Sequence, residues 1–419
     1  MSAPTSTSTA PGDAQEAAEA PSLLDTLARA PAAAGLVVGA LDEEDDRKAL
    51  RLAHPQLRDA VGEATTTLEV DLRGAAAARP PTPRRWPRLE ELTIRGPDEA
   101  AIDALGFGTW GALRALRLED SNRGSNALSA RALAAALRRM PALRVLALGK
   151  LGLSEAATSK LFSASMPQLR VLALIEMNVK SAAARALAAS GWLLEELDLS
   201  RNPDLGAGGV AALVVAPTFA IRRLSLVLCC LDAASVLAVA NAAWPLEELD
   251  LSSNDFQTAA AAPALAALSR HAGLRRLRMD ACTFSPASFK ALVERAWPAL
   301  TSLCAKKSAV GMLLALGAAA FAGFPALEEL VLPTRRLDEA GAALLLSRRW
   351  PRLKELDLRG VWIGDGAAAG VAALARGEWP ALKELRVNAI LGFLTLDAAR
   401  RWAPALEALE ASAATLPGE

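Results

Sequence analysis

The feature that most constrains the fold of this chain is the pattern L-x-x-L-x-L, which recurs along most of its length. The pattern starts thirteen times, 24 to 30 residues apart, and each of its fixed positions holds an apolar residue. The starts are Leu89, Leu113, Leu143, Leu169, Leu194, Ile221, Leu246, Leu274, Leu300, Leu327, Leu353, Leu382 and Leu406. A regular spacing of this kind predicts an array of small units that bury their apolar faces against one another, rather than one compact core.

The residues that follow each pattern predict a helix after each strand. A further apolar residue lies ten positions after many starts, and a residue type that caps helices stands within the next three positions. The capping candidates are Ser154, Ser181, Asp232, Thr258, Ser285, Asp338 and Asp365. Such side chains accept hydrogen bonds from the free amides of a first helical turn. Sequence rich in Ala and Leu follows, as from Ala130 to Met140, and we expect these small side chains to let the helices pack close to the strands.

Tryptophans mark the return from helix to strand. Eight of the nine lie two to four residues before a start, and five of these are followed directly by proline, which ends helices. The eight are Trp86, Trp110, Trp192, Trp244, Trp297, Trp350, Trp379 and Trp402. Because their placement follows the repeat, we interpret these rings as fillers of the helix-to-strand corner rather than as a ligand-binding site.

The balance of charges argues against several classes of partner. Lys plus Arg equals Asp plus Glu at 46 each, so neither nucleic acid nor an anionic membrane is indicated. Residues 1–21 lack the apolar stretch of a secretory signal, and four cysteines do not indicate a disulfide framework. We therefore expect a cytoplasmic protein, and a monomer. The uncharged stretch from Ser308 to Leu327 fits the repeat period, so we interpret it as a buried helix rather than a membrane span.

The units resemble leucine-rich repeats of the ribonuclease-inhibitor-like kind, from Leu89 to about Ala411. The resemblance implies an α/β solenoid, or horseshoe, with a parallel β-sheet on the concave side and helices on the convex side. It also implies that an Asn or Cys eight residues after a start bonds the backbone of the next turn. That place is held by Asn202, Cys229, Asn254 and Cys282. A degenerate strand, Leu68-x-Val70-x-Leu72, precedes the array, and we assign residues 63–419 to the repeat domain.

The segment before the repeats differs from them in composition. Residues 1–21 are rich in Ser, Thr, Ala and Pro and are expected to be disordered. Within residues 22–62, apolar residues from Ala49 to Val61 are spaced for one face of a helix. The stretch R-x-A-L-R-L-A-H-P-x-L-R-D-A-V resembles the latter part of an F-box, which implies binding to the Skp adaptor of cullin ubiquitin ligases. The alternative is a small helical N-terminal cap that seals the first repeat.

The sequence contains no recognisable catalytic motif, so we do not expect an enzyme, a cofactor or a metal site. The two histidines, His54 and His271, fall in different predicted elements, which argues against a shared site. Zinc-protease, Cys-x-x-Cys, nucleophile-elbow and phosphate-loop patterns are missing.

Binding is expected on the concave face, where alternate residues of each strand point away from the core. The outward positions form an apolar patch (Val145, Ala147, Val171, Ala173, Ile175), an acidic set with one arginine between its members (Glu196, Asp198, Arg223, Glu248, Asp250) and a basic pair (Arg276, Arg278). Ten of these twelve residues, all except the two alanines, are the predicted partner-binding residues. The acids also follow the repeat consensus, so a generic solvated face is the alternative for them. Apolar residues gathered on an exposed face indicate a contact site, unless the N-terminal segment or an irregular loop covers them.

These observations predict a non-catalytic scaffold that binds a partner protein through the concave face of the array. Analogy with other repeat proteins of this kind suggests the cytoskeleton or the cilium axoneme as its place. The F-box resemblance implies an alternative, the substrate receptor of a cullin ubiquitin ligase. A further alternative is a GTPase-activating protein of the Ran activator kind, since that protein is built from similar repeats.

Overall fold

The computed structural model describes residues 65–72, 81–120, 128–310, 320–332, 335–337, 349–359, 361–363, 374–375, 377–388, 396–401 and 403–412. The chain divides into two units, Met1–Thr66 with Arg85–Arg88, and Thr67–Arg84 with Leu89–Glu419. The second unit contains the repeats. The predicted tail 1–21 and the segment 22–62 lie outside the described residues, as do the capping candidates Asp338 and Asp365, residues 311–319 of the uncharged stretch, and Trp402.

Each of the thirteen pattern starts is followed by a strand, and a further strand precedes them. In chain order the described strands are β1 Thr67–Asp71, β2 Glu91–Arg95, β3 Ala115–Glu119, β4 Val145–Gly149, β5 Val171–Ile175, β6 Glu196–Asp198, β7 Arg223–Ser225, β8 Glu248–Asp250, β9 Asp255–Phe256, β10 Arg276–Arg278, β11 Thr283–Phe284, β12 Ser302–Cys304, β13 Ala309–Val310, β14 Glu329–Val331, β15 Arg335–Leu337, β16 Glu355–Asp357, β17 Val361–Ile363, β18 Glu384–Asn388 and β19 Ala408–Ser412. The degenerate strand predicted from Leu68 is confirmed as β1.

Fourteen of these strands form one unclosed parallel sheet, in the order β1-β2-β3-β4-β5-β6-β7-β8-β10-β12-β14-β16-β18-β19. The remaining five strands form two small parallel sheets, β13-β11-β9 and β15-β17. Each of these short strands comes directly after the large-sheet strand of its own repeat. The order follows the chain without a crossover because every repeat packs on the one before it.

Helices connect most successive strands of the large sheet. They are α1 Glu99–Gly106, α2 Ala130–Leu137, α3 Glu155–Leu161, α4 Ser181–Ala188, α5 Gly206–Val214, α6 Ala233–Ala240, α7 Ala261–Ala267 followed by a 3₁₀ turn Leu268–Arg270, α8 Pro286–Val293 and α9 Leu396–Ala399. A helix is about 10 Å wide whereas neighbouring strands lie about 4.8 Å apart, so the sheet takes the inner, concave side of this unit. The architecture is the predicted leucine-rich repeat solenoid.

Helix caps confirm part of the predicted pattern. Ser154, Asp232 and Ser285 each accept a hydrogen bond from an amide of the first helical turn. The prediction was wrong for Ser181, because Lys180 holds the cap position of α4 and Ser181 is already the first helical residue. It was also wrong for Thr258. Its backbone carbonyl, not its hydroxyl, accepts a hydrogen bond from the amide of Ala261, the first residue of α7.

The patterned leucines form continuous rungs across the sheet. Leu146 pairs in register with Leu172, and the same rung continues through Leu197, Leu224, Leu249, Leu277, Leu303, Leu330, Leu356 and Leu385. All ten are buried. This single register gives the core between the sheet and the helix layer, and it leaves the alternate residues of each strand on the outer face.

Asparagine side chains tie successive turns together. The Asn202 side chain accepts from the amides of Met177 (3.1 Å) and Val179 (2.9 Å) and donates to the carbonyl of Leu174 (2.7 Å). Asn254 makes the equivalent bonds to the turn before it. The bonds therefore run to the preceding turn, not to the next one as the resemblance implied.

The seven corner tryptophans that the structure describes are buried, as predicted. The indole nitrogens of Trp110, Trp297 and Trp379 each donate to the carbonyl five residues earlier, at 2.9 to 3.0 Å. That carbonyl lies at the end of the preceding helix, so one ring both fills the corner and satisfies a free helix carbonyl. Among the described residues no helix is both long and apolar enough to cross a bilayer.

Candidate protein-binding surface

The ten residues predicted to bind a partner all lie on the outer face of the large sheet. Burial alternates along each strand, as in β4 and β5, where every second residue is buried and the others are partly exposed. The side chains between the buried leucines therefore face away from the core. The structure divides the ten into two neighbouring groups, one on β4 and β5 and one on β6, β7, β8 and β10.

The apolar patch occupies two adjacent strands in exact lateral register. Val145 pairs with Val171, and Ala147 pairs with Ala173. Ile175 lies opposite Gly149, so its side chain has no neighbour of comparable size on β4. All five patch residues are partly exposed. Four of the five side chains are Val or Ala, so this part of the face is apolar and accessible, and a partner's apolar side chain can pack against it.

A charged cleft lies directly beside the apolar patch. It has a volume of about 360 Å³ and crosses strands β6, β7, β8 and β10. Its lining comprises Glu196, Leu197, Asp198, Arg223, Leu224, Ser225, Glu248, Leu249, Asp250, Arg276 and Arg278. Seven of the ten predicted residues are among them, so the acidic set and the basic pair form one continuous surface rather than two separate textures.

Ion pairs link the strands that line the charged cleft. Arg223 pairs with Glu196, and Arg276 pairs with Glu248, in each case with the neighbouring strand. The hydrogen bond to Glu196 raises the pKa of the Arg223 guanidinium above its ordinary value. Acidic and basic side chains alternate along this row, because Glu196, Arg223, Glu248 and Arg276 occupy equivalent positions on successive strands.

The far edge of the charged cleft is held by a small hydrogen-bonded cluster. Arg278 donates to Asp280 at 2.8 Å, and the Cys304 thiol donates to the same carboxylate at 3.1 Å. Burial alone would raise the pKa of Asp280, but hydrogen bonds from Arg278, from Cys304 and from the amide of Lys306 outweigh it and hold that pKa below its usual value. Asp280 therefore stays ionised and fixes the guanidinium of Arg278 at the rim.

A second charged group near the end of the sheet was not predicted. The Arg386 guanidinium lies 3.6 Å from Glu355 and 3.2 Å from Glu410, on the strands to either side. Asp357 is bonded by Arg359 at 2.7 Å and is buried. The rule that located the other residues, alternate positions after each start, also points to Glu355, Asp357 and Arg386. It could have found this group had it been applied to every strand.

Another cleft, of about 410 Å³, lies at a helix-to-strand corner between the repeats that start at Leu246 and Leu274. Trp244 and His271 border it. The Trp244 indole nitrogen is buried without a hydrogen-bond partner among the described residues, and His271 Nε2 lies 2.8 Å from the carbonyl oxygen of Val239. None of the ten predicted residues lines this cleft.

Two of the four cysteines are buried and bond to the backbone of the preceding turn. The thiols of Cys229 and Cys282 donate to the carbonyls of Leu199 and Leu251 in the preceding turns. Burial raises the pKa of Cys229 to about 11 and that of Cys282 to about 12. Both thiols are therefore protonated at neutral pH, which suits a hydrogen-bond donor and not a nucleophile.

One comparison with known proteins identifies the type of repeat. The model of a leucine-rich repeat family matches residues 193–214, which span β6 and α5. No curated protein shows significant similarity to the chain. The matched segment and the fourteen-stranded parallel sheet together identify a leucine-rich repeat fold.

Two solved structures are distantly similar. One is an internalin from Listeria monocytogenes, with 16% sequence identity and a TM-score of 0.46 over 79% of this chain and 87% of that chain. The other is a chain of the Rad7 and Elc1 complex in yeast, with 16% identity and a TM-score of 0.40 over 91% of this chain and 92% of that chain. Both resemblances are too distant to carry an argument about function.

Proposed function

We propose that this chain is a non-catalytic scaffold that holds a partner protein on the outer face of its sheet, with the apolar patch as the anchor. The observation that carries the proposal is the exposure of five apolar side chains, in register on two adjacent strands, in the middle of an otherwise charged face. A leucine-rich repeat solenoid in general supports a role in protein interaction, because its sheet offers a long continuous surface.

The arrangement has the composition of a protein-binding surface. Such interfaces combine an apolar centre, which loses its water on binding, with a polar rim that fixes orientation. Here the apolar patch on β4 and β5 is the centre, and the charged cleft on β6 to β10 supplies one side of the rim. On the other side, β3 presents Arg117, which pairs with Glu91 at 3.4 Å.

Affinity capture with two patch variants tests this proposal. Val171→Arg and Ile175→Arg each place a guanidinium in the apolar patch, where a bound apolar side chain would have to desolvate it. We expect proteins captured by the native chain from an extract, and identified by mass spectrometry, to be lost with both variants. The melting temperature of each variant shows whether the fold has been kept.

Val215→Arg is the matched control. Val215 is 76% exposed at the end of α5, in the helix layer, so the same chemical change is made away from the sheet face. Capture should survive in this variant. Capture that is unchanged by Val171→Arg and Ile175→Arg would remove the apolar patch from the interface.

We infer a second, narrower function for the N-terminal segment, that of an F-box which joins the repeats to the Skp adaptor of a cullin ubiquitin ligase. The support is the sequence from Arg47 to Val61 alone, since residues 22–62 lie outside the described residues. In this hypothesis the sheet face would hold the substrate of the ligase.

The ribonuclease-inhibitor-like kind of repeat, which we assign here, is supported by the helix between successive strands.

Binding of the purified Skp adaptor to the full chain tests the second function. Leu50→Asp combined with Leu57→Asp should abolish binding, because both leucines belong to the predicted apolar face of the segment. Ile175→Arg, which lies on the sheet, should leave adaptor binding unchanged. A native chain that does not bind the adaptor contradicts the F-box hypothesis and leaves the scaffold proposal standing.

A further inference from the structure

The outer face of the large sheet carries an excess of negative charge that the whole chain does not have. The sequence balances 46 basic against 46 acidic residues. On the described strands, twelve carboxylates occupy outward positions and are at least partly exposed: Glu69, Asp71, Glu91, Glu119, Glu196, Asp198, Glu248, Asp250, Glu329, Glu355, Glu384 and Glu410. Six arginines share these positions: Arg95, Arg117, Arg223, Arg276, Arg278 and Arg386.

All six of these arginines are already compensated on the face itself. Each guanidinium lies within ion-pair distance of a carboxylate on a neighbouring strand: Arg95 with Glu69, Arg117 with Glu91, Arg223 with Glu196, Arg276 with Glu248, Arg278 with Asp250 and Arg386 with Glu355. The charge left over for a ligand is therefore negative. An incoming positive segment is attracted to such a surface, and an acidic one is repelled.

Two carboxylates that form no ion pair with any residue the structure describes stand on either side of the apolar patch. Glu119 on β3 is exposed, is opposite Gly149, and has no partner among the described residues. Asp198 on β6 lies opposite Ala173 and accepts hydrogen bonds only from Ser200 in the described part of the chain. The two strands are three strand spacings apart, on the order of 14 Å.

We propose that the segment that occupies the apolar patch is basic, with a bulky apolar side chain flanked on both sides by Lys or Arg. The inference rests on the proposed function and specifies its partner. The apolar side chain would pack on the short apolar residues of β4 and β5. The flanking cations would meet Glu119 and Asp198, which lose water on binding and are stabilised only by a positive group.

Selection of peptides from a random phage-displayed library on the full chain tests the inference. We expect the enriched sequences to combine a large apolar residue with Lys or Arg on both sides. A synthetic peptide of that sequence should bind the native chain more weakly as the salt concentration rises, because salt screens exposed charges. Ile175→Arg should abolish its binding.

A charge-reversal variant tests directly whether the flanking carboxylate contributes to peptide affinity. Glu119→Lys should weaken the affinity of the basic peptide by about tenfold, since it turns an attraction into a repulsion. Asp103→Lys is the matched control, because Asp103 is an exposed carboxylate of α1 in the helix layer, and it should change the affinity by less than about twofold.

The possible failures are distinguishable. Peptides with acidic or uncharged flanks that still depend on Ile175 would overturn the basic partner and keep the apolar patch as a binding site. Peptides that bind equally well to Ile175→Arg would overturn the proposed function together with this inference. A library that yields no binder to the native chain counts against the inference as well, since the patch would then not recognise a short basic segment.

Discussion

At the scale of single residues, buried polar side chains hold the turns of the solenoid in place. The side chain of Asn254 accepts from the amides of Cys229 (3.2 Å) and Leu231 (3.1 Å) and donates to the carbonyls of Leu226 (2.9 Å) and Leu251 (2.8 Å). These backbone groups are buried and cannot reach water, so their hydrogen bonds depend on one amide side chain. The sequence identified this position from the family pattern, but the direction of the bonds required the structure.

Asn254→Ala is expected to lower the free energy of unfolding by about 3 kcal/mol, because it leaves several buried backbone groups without a partner. Urea denaturation of the native chain and the variant measures the change. Gln257→Ala, at an exposed position three residues further on, is the control and should change the stability by less than about 0.5 kcal/mol. Equal effects of the two substitutions would show that the buried Asn254 side chain does not stabilise the turns.

The buried thiols make the stability sensitive to alkaline pH. Burial raises the pKa of Cys282 to about 12, whereas a thiol in the unfolded chain titrates near 8.5. The folded state therefore holds this proton more tightly, and its contribution is complete below pH of about 8.5 and is lost as the pH rises toward 12. We expect the free energy of unfolding to fall between pH 8 and pH of about 10, with a smaller fall in Cys282→Ala. Identical pH dependence in both proteins would contradict this role for the thiol.

At the scale of elements, local sequence signals predict that a helix follows a strand more reliably than they predict the residue at which that helix begins. Ser154 lies in the position that the capping pattern predicts and accepts from the amide of Ala157 at 3.2 Å. Ser181 has the same residue type and similar spacing, yet it lies one residue inside α4, and its hydroxyl donates to the carbonyl of Leu205 in the next repeat. The caps Asp98 and Ser129 were not predicted, because no apolar residue marks them ten positions after the start.

Comparing the stability of Ser154→Ala with that of Ser181→Ala distinguishes a serine that caps a helix from one that lies inside the first turn. The first removes a hydrogen bond to a free helix amide and should lower the free energy of unfolding by about 1 kcal/mol. The second removes only a long side-chain bond and should cost less than about 0.5 kcal/mol. Thermal or urea unfolding of both variants checks the difference, and a larger loss for Ser181→Ala would mean that Ser181 is itself the cap and that α4 begins one residue later than described.

At the scale of the whole molecule, stability depends on a residue's place in the array. Leu249 belongs to the central part of the sheet and is 1% exposed, with a paired strand on either side. Leu409 occupies the equivalent rung of β19, where among the described residues it pairs only with Leu385, and it is partly exposed. In a repeat protein each unit is stabilised by its neighbours, so the same side chain contributes less at an end than in the middle.

Leu249→Ala is expected to lower the free energy of unfolding by about 3 kcal/mol, because it leaves a cavity in a fully packed core. Leu409→Ala should lower it by about 1 kcal/mol or less, since a partly exposed position can relax and admit water. Urea denaturation followed by circular dichroism compares the two. A loss at Leu409 as large as that at Leu249 would show that the last repeat is a full member of the core.

The sequence by itself determined the repeat, the rungs of leucine, the strand-then-helix order and the face on which the ten candidate residues lie. It could do so because every unit repeats the same local pattern and needs only its neighbours to bury it. The sequence did not predict the left-handed backbone conformation that follows many strands, because the residues that adopt it have little in common. They are Lys150, Glu176, Arg201, Leu228, Ser253, Ala281 and Lys307.

Only the tertiary structure decided which charges pair and which remain available. Arg223 stands in register between Glu196 and Glu248, and the structure pairs it with Glu196, 27 positions away in sequence. The same packing leaves Glu119 without a partner among the described residues and places it beside the apolar patch. Such choices depend on the rotamers of side chains from different repeats, whose mutual distances are fixed when the strands stack, and no local pattern in the chain encodes them.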